Sequence, residues 1–105
     1  MKKGDIVLIP FPFTDLMSIK TRPALILHVA TNDITVAFIT SKLIQKEVHD
    51  LELVPNKFNG LKVDSILKLN KIATLDNNLI IGKLGTLQTD DLKKVNITLK
   101  NIFAL

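Results

Sequence analysis

The chain of 105 residues has no cysteine, tryptophan or tyrosine, only four glycines and four prolines, and a single arginine. Each absence excludes something. Without cysteine there are no disulfides, no thiol nucleophile and no thiolate-bound zinc, a composition that suits a reducing compartment. With five Phe as its only aromatics, the chain cannot build an extended platform for stacking nucleobases. No apolar run approaches the ~18 residues that span a membrane. Met1-Lys2-Lys3-Gly4-Asp5 lacks the apolar core of a signal peptide, so a cytoplasmic protein with no membrane partner is expected. There is no glycine-rich phosphate loop, no His-x-x-x-His pair and no carboxylate cluster. Metal-dependent hydrolysis and nucleotide binding therefore draw no support, and no cofactor is expected.

What is present fits one globular domain over residues 1–105, with 47% hydrophobic and 23% charged residues. A net charge of +4 permits a nucleic-acid partner through a local patch without requiring one. Arg22 stands out because every other cation among the fourteen Lys and Arg residues is lysine. A guanidinium is a planar fork that can meet a phosphate through two parallel hydrogen bonds, whereas an ammonium is a rotatable point charge. Arg22 is thus a candidate phosphate ligand; the structural alternative is an ion pair with a carboxylate such as Asp15.

In chain order, Gly4 to Ile9 reads as a strand ended by Pro10, and residues 10–15 as a stiff extended connection carrying two Phe. A loop over 16–21 follows. Strands are expected over 23–30 and 34–40, joined by a tight turn at Asn32-Asp33. That hairpin sets Arg22, at the start of one strand, and Thr40, at the end of the next, at similar distances from the turn and hence at one rim. Further strands are expected over 51–54, 65–75 and 79–84, with turn-rich Pro55–Gly60 and Asp76-Asn77-Asn78 between them, and with Gly82 and Gly85 marking a bulge or an exit. The last segment reads as a helix, with Thr89 as N-cap, Asp90 and Asp91 in the first turn, and Leu92, Val95, Leu99, Ile102 and Phe103 as its apolar stripe. The fold class is mainly β (α+β): a small, strongly curved antiparallel barrel or sheet covered on one face by a C-terminal α-helix.

Two histidines invite a general acid and base, but His28 lies mid-strand and His49 in a polar loop, poorly placed to act together. Thr40-Ser41-Lys42 closes its strand with two hydroxyls and an ammonium. Such hydroxyls usually cap turns, yet opposite Arg22 they could hold a phosphate and stabilise charge developing on its oxygens. Asp15, Ser18 and Lys20 belong to the connection that would overhang this rim.

Gly4-Asp5-Ile6-Val7, Phe11-Pro12-Phe13-Thr14-Asp15, Arg22-Pro23-Ala24 before an aliphatic strand, Ile39-Thr40-Ser41, and Leu75-Asp76 followed by Ile80 to Leu87 resemble the MazF/PemK family of toxin–antitoxin ribonucleases over nearly the whole chain. The resemblance implies an SH3-like or CcdB-like barrel with a C-terminal α-helix, a homodimer, and neutralisation by a disordered antitoxin protein. It implies metal-independent cleavage of single-stranded RNA by attack of the ribose 2′-hydroxyl on the adjacent phosphate, leaving a 2′,3′-cyclic phosphate and a 5′-hydroxyl. The family's catalytic arginine falls on Arg22 and its catalytic threonine on Thr40. Ser41 is the supporting hydroxyl, and Asp15, Ser18, Lys20 and Lys42 are further expected RNA contacts. Operator DNA is expected as a partner only in complex with the antitoxin. Residues 16–21 depart from the family's pattern, lacking its Gly and Glu, so no RNA target sequence is implied. Two alternatives are a same-fold, non-catalytic toxin that inhibits a protein such as DNA gyrase through Ile102 and Phe103, and a nucleic-acid-binding autoregulator.

Overall fold

The structure is a computed structural model and describes residues 1–11, 20–43 and 46–105. Six strands precede one helix: β1 (Asp5–Phe11), β2 (Lys20–Val29), β3 (Asp33–Thr40), β4 (Asp50–Leu53), β5 (Ser65–Asp76), a 3-10 turn at Asn77–Leu79, β6 (Gly82–Thr86) and α1 (Thr89–Phe103). They form a single antiparallel sheet in the order β4-β5-β3-β2-β1-β6, an open half-barrel with the helix against one face. No helix among the described residues is long and apolar enough to cross a membrane.

Both faces of this sheet are apolar, which explains why β2 reads as an unbroken run, Ala24-Leu25-Ile26-Leu27, instead of a clean alternation. Successive side chains point to opposite faces. Ile6, Leu25, Ala37, Ile39, Leu67 and Leu69 meet Val95 of α1 on one side. On the other, Val7, Ile9, Ala24, Ile26, Ile34 and Val36 form a second cluster with Phe38, Leu75 and Ile80 packed on it. The expected apolar stripe of α1 holds for Leu92, Val95, Leu99 and Ile102, which pack on the first cluster. Phe103 instead is 56% exposed.

Several expected boundaries move, and β2 begins at Lys20, so Lys20 and Thr21 belong to the strand and not to the loop expected over 16–21. Pro10 does not end β1: it stays in the ladder opposite Thr21, and Phe11 opposite Lys20. Pairing of β1 with β6 runs only from Asp5 to Leu8, so Pro10 lies where β1 has become an edge and a missing N–H breaks no bond on that side. Leu79 to Ile81 is not strand; the 3-10 turn occupies 77–79 and β6 begins at Gly82. Thr89 is the first helical residue, Gln88 holds the cap position without a side-chain bond, and the first turn relies on Asp90 and Asp91.

The far edge is sealed by the connection between β4 and β5. Asn59, 1% exposed, donates from Nδ2 to the Val54 carbonyl at 2.9 Å and accepts from the Leu61 N–H at 3.0 Å. This fixes Phe58, whose carbonyl accepts from the Thr86 N–H of β6 at 2.8 Å.

Candidate functional site

The β2–β3 hairpin turns through Ala30, Thr31 and Asn32, with the Ala30 N–H donating to the Asp33 carbonyl at 2.9 Å. Its register, after a shift at Ile26/His28, runs Ile26↔Val36, Leu25↔Ala37, Ala24↔Phe38. The pairing ends at Ala24↔Phe38, and alternation from those two residues puts Arg22 and Thr40, each two positions further on, on the same face of the sheet. Each residue is also held from its outer side, Arg22 by pairing with Ile9 of β1 and Thr40 by pairing with Ile66 of β5. Pro23, opposite Leu8, locks the backbone behind Arg22.

Both side chains are half-buried. Arg22 makes no hydrogen bond or ion pair with another described residue, so its fork is free among them. The Thr40 hydroxyl oxygen accepts from the Lys42 N–H at 3.1 Å, the turn-capping role expected of a strand-end hydroxyl. That bond occupies a lone pair and leaves the hydroxyl proton to donate outward. Ser41 and Lys42 are exposed beside it, and Lys20 is exposed two residues ahead of Arg22 on the same face of β2. Asp15 and Ser18 lie outside the described residues, and so does any pairing of Asp15 with Arg22. The structure keeps His28 apart from this rim. His28 is exposed opposite Thr35, six residues and roughly 20 Å down β2 from Arg22. His49 is half-buried just ahead of β4.

A second polar group on this face was not expected from the sequence. Between Ala37↔Ile72 and Phe38↔Lys68, β5 carries three residues with no β3 partner, and this irregularity places Lys68 beside Phe38. Phe38 and Lys68 are therefore one alternation from Thr40 and Ile66, on the face that Thr40 occupies. The Lys68 ammonium contacts Asp50 Oδ2 at 2.6 Å and Glu47 Oε1 at 3.1 Å. Asp50 Oδ2 also accepts the Glu47 N–H at 2.8 Å, and Asn70 Nδ2 donates to Glu47 Oε2 at 3.3 Å. The Asp50 side chain is fully buried and its Oδ1 has no partner among the described residues. The Asp50 hydrogen bond, opposed by burial and reinforced by Glu47, raises the Lys68 pKa above the ordinary lysine value, so the ammonium stays charged. The alternation of β5 shows Lys68 and Asn70 at strand positions, but their partners come from a separate segment that no local pattern connects to them.

A half-barrel of six antiparallel strands with one C-terminal helix is the architecture of the MazF toxins. An endoribonuclease from a mycobacterial species, solved in complex with its cognate antitoxin, superimposes with a TM-score of 0.79 over 100% of this chain and 96% of that one at 16% identity. The Mycobacterium tuberculosis toxin MazF-mt6 gives 0.78 over 96% and 97% at 21% identity. MazF from Deinococcus radiodurans gives 0.76 over 100% and 97% at 20% identity. At such identities the likeness is one of fold. No curated protein matches the chain in sequence. The family model of PemK-like, MazF-like toxins of type II toxin–antitoxin systems matches residues 2–103, and the chain belongs to that family.

Proposed function

We propose that this toxin is a metal-independent endoribonuclease that cleaves single-stranded RNA. The observation supporting the proposal is the β2–β3 pairing down to Ala24↔Phe38, beyond which the one arginine and Thr40 each follow two residues further on the same face. In this reaction the ribose 2′-oxygen attacks the adjacent phosphorus, its proton is lost, and the 5′-oxygen of the next nucleotide leaves and takes up a proton. The products are a 2′,3′-cyclic phosphate and a 5′-hydroxyl. As the phosphorus becomes five-coordinate, negative charge grows on its non-bridging oxygens. Arg22 meets those oxygens with a bidentate fork and Thr40 with a single donated proton, its oxygen already aimed by the Lys42 N–H. Ser41, Lys42 and Lys20 hold the neighbouring phosphates, and Asp15 and Ser18 act from the preceding connection.

The toxin is neutralised by a cognate antitoxin, a reading supported by the antitoxin-bound mycobacterial relative and by family membership, and it acts as a homodimer. It meets operator DNA only in that complex. A gyrase-type inhibitor of the same fold is less well supported, because of the two residues it would rest on Ile102 is packed on the core and only Phe103 is exposed.

The test is incubation of purified protein with a long single-stranded RNA in EDTA, followed by mapping of the cut ends. Site-specific cuts with 5′-hydroxyl ends are expected, and RNA left intact at high protein excess sinks the reading. Arg22→Ala and Thr40→Ala should each lower kcat by roughly 10²–10³-fold, the worth of one transition-state donor, with thermal unfolding nearly unchanged. Arg22→Lys should remain impaired. Full activity in that variant would refute the argument from guanidinium geometry.

A further inference from the structure

We propose that Glu47 is a positioning residue, clasped onto β5 so that the segment Thr40-Ser41-Lys42 is presented to RNA in one arrangement; this rests on the ribonuclease reading above. The chain leaves β3 at Thr40 and returns to the sheet at Asp50. Its outgoing end is tied by the Lys42 N–H to the Thr40 hydroxyl at 3.1 Å. Its returning end is tied by Glu47, whose two carboxylate oxygens go to different partners, Lys68 at 3.1 Å and Asn70 at 3.3 Å, while its N–H goes to Asp50. Lys68 and Asn70 both stand on β5, the strand that pairs with Thr40 through Ile66. The clasp therefore refers the returning chain to the same strand that locates the outgoing one.

Charge explains why a lysine is needed there. A carboxylate within a few ångströms of a bound polyanion would repel it, and Asp50 already places one buried negative charge beside Glu47. The Lys68 ammonium, 13% exposed, lies between the two carboxylates and lets Glu47 serve as an anchor on the face that would receive phosphate. Asp50 is unsuitable for probing this arrangement because it is buried and its loss would strand Lys68. The side chain of Glu47 is 49% exposed and that of Asn70 lies at the surface, so both can be truncated in a folded protein.

Glu47→Ala is expected to raise KM for RNA about tenfold, the scale of one charge-assisted hydrogen bond, with kcat within about twofold, because ground-state contacts through Ser41 and Lys42 are loosened. Asn70→Ala should move KM the same way by less, and Lys68→Arg, which keeps both carboxylates engaged, should stay near the wild type. Amide exchange at Lys42 supplies a readout independent of activity. It should accelerate in Glu47→Ala at unchanged global stability. Unchanged KM together with unchanged Lys42 exchange overturns the proposal. A fall in thermal stability with KM, kcat and exchange otherwise unmoved assigns Glu47 a purely structural role and also overturns it. If the wild type leaves RNA intact, the ribonuclease reading fails by itself, and Lys42 exchange still reports whether Glu47 orders the segment.

Discussion

Asp5 is 2% exposed and still carries its charge, because three donors converge on it: the Lys2 N–H at 3.0 Å, the Thr86 hydroxyl at 3.0 Å and the Lys83 ammonium at 3.4 Å. Burial pushes its carboxyl up, but these donors together outweigh that and hold its pKa below the ordinary value. A carboxylate with a lowered folded-state pKa stabilises the protein in full above the unfolded value, about 3.9, and loses that contribution as pH falls through the folded value. Asp5→Asn is therefore expected to lower the thermal midpoint at neutral pH and to flatten the loss of stability below about pH 4; calorimetry across pH 7 to 3 checks both. At this scale the sequence is uneven in what it shows. Arg22 is visible because it is the only residue of its type, and Thr40 because hairpin arithmetic places it opposite. The Asp5–Thr86 and Lys68–Asp50 bonds join residues 81 and 18 apart, and nothing local announces them.

Among the elements, β6 and the connection that covers it are the most sensitive to backbone space. A Cβ on Gly85 would lie 2.3 Å from the Phe58 carbonyl oxygen and 2.4 Å from the Asn59 carbonyl carbon, both main-chain atoms that cannot swing aside. Gly82, in the same strand, has nothing within 4 Å of such a Cβ. Gly85→Ala is expected to destabilise by about 3 kcal/mol, at the upper end of overpacking costs, and to lower the midpoint by more than about 10 °C, while Gly82→Ala should change it little. Parallel thermal melts of the two variants decide. Here too the sequence shows only part. It marks Gly82 and Gly85 as special without revealing that one faces solvent and the other a crossing chain. It places α1 correctly through its 3.6-residue stripe, but a threonine ahead of two aspartates resembles a cap whether or not its hydroxyl is used.

For the whole molecule, the antiparallel half-barrel with one helix is legible because short strands and turn residues alternate down the chain. How far the apolar surface is satisfied within one chain is not. Ile97 and Phe103 on α1 are 61% and 56% exposed, and Leu105 just beyond is 88% exposed. Exposed apolar side chains along the second half of a helix favour burial against another chain. Light scattering at micromolar concentration should accordingly give about twice the 11.7 kDa chain mass. A monomer mass there removes the homodimer from the proposed function.

Arg22 and Thr40 are gripped from outside the hairpin by Ile9 and Ile66, so their spacing follows from strand geometry and not from the connections on either side. Residues 16–19 can then drift in sequence without displacing the strand positions of Arg22 and Thr40, whereas Lys42 and Glu47 belong to the segment that presents the Thr40 hydroxyl. On the proposed reading, lineages built on this frame can acquire new targets by rewriting the loop ahead of β2 while inheriting the same strand-held pair, so that recognition and reaction evolve as separate traits.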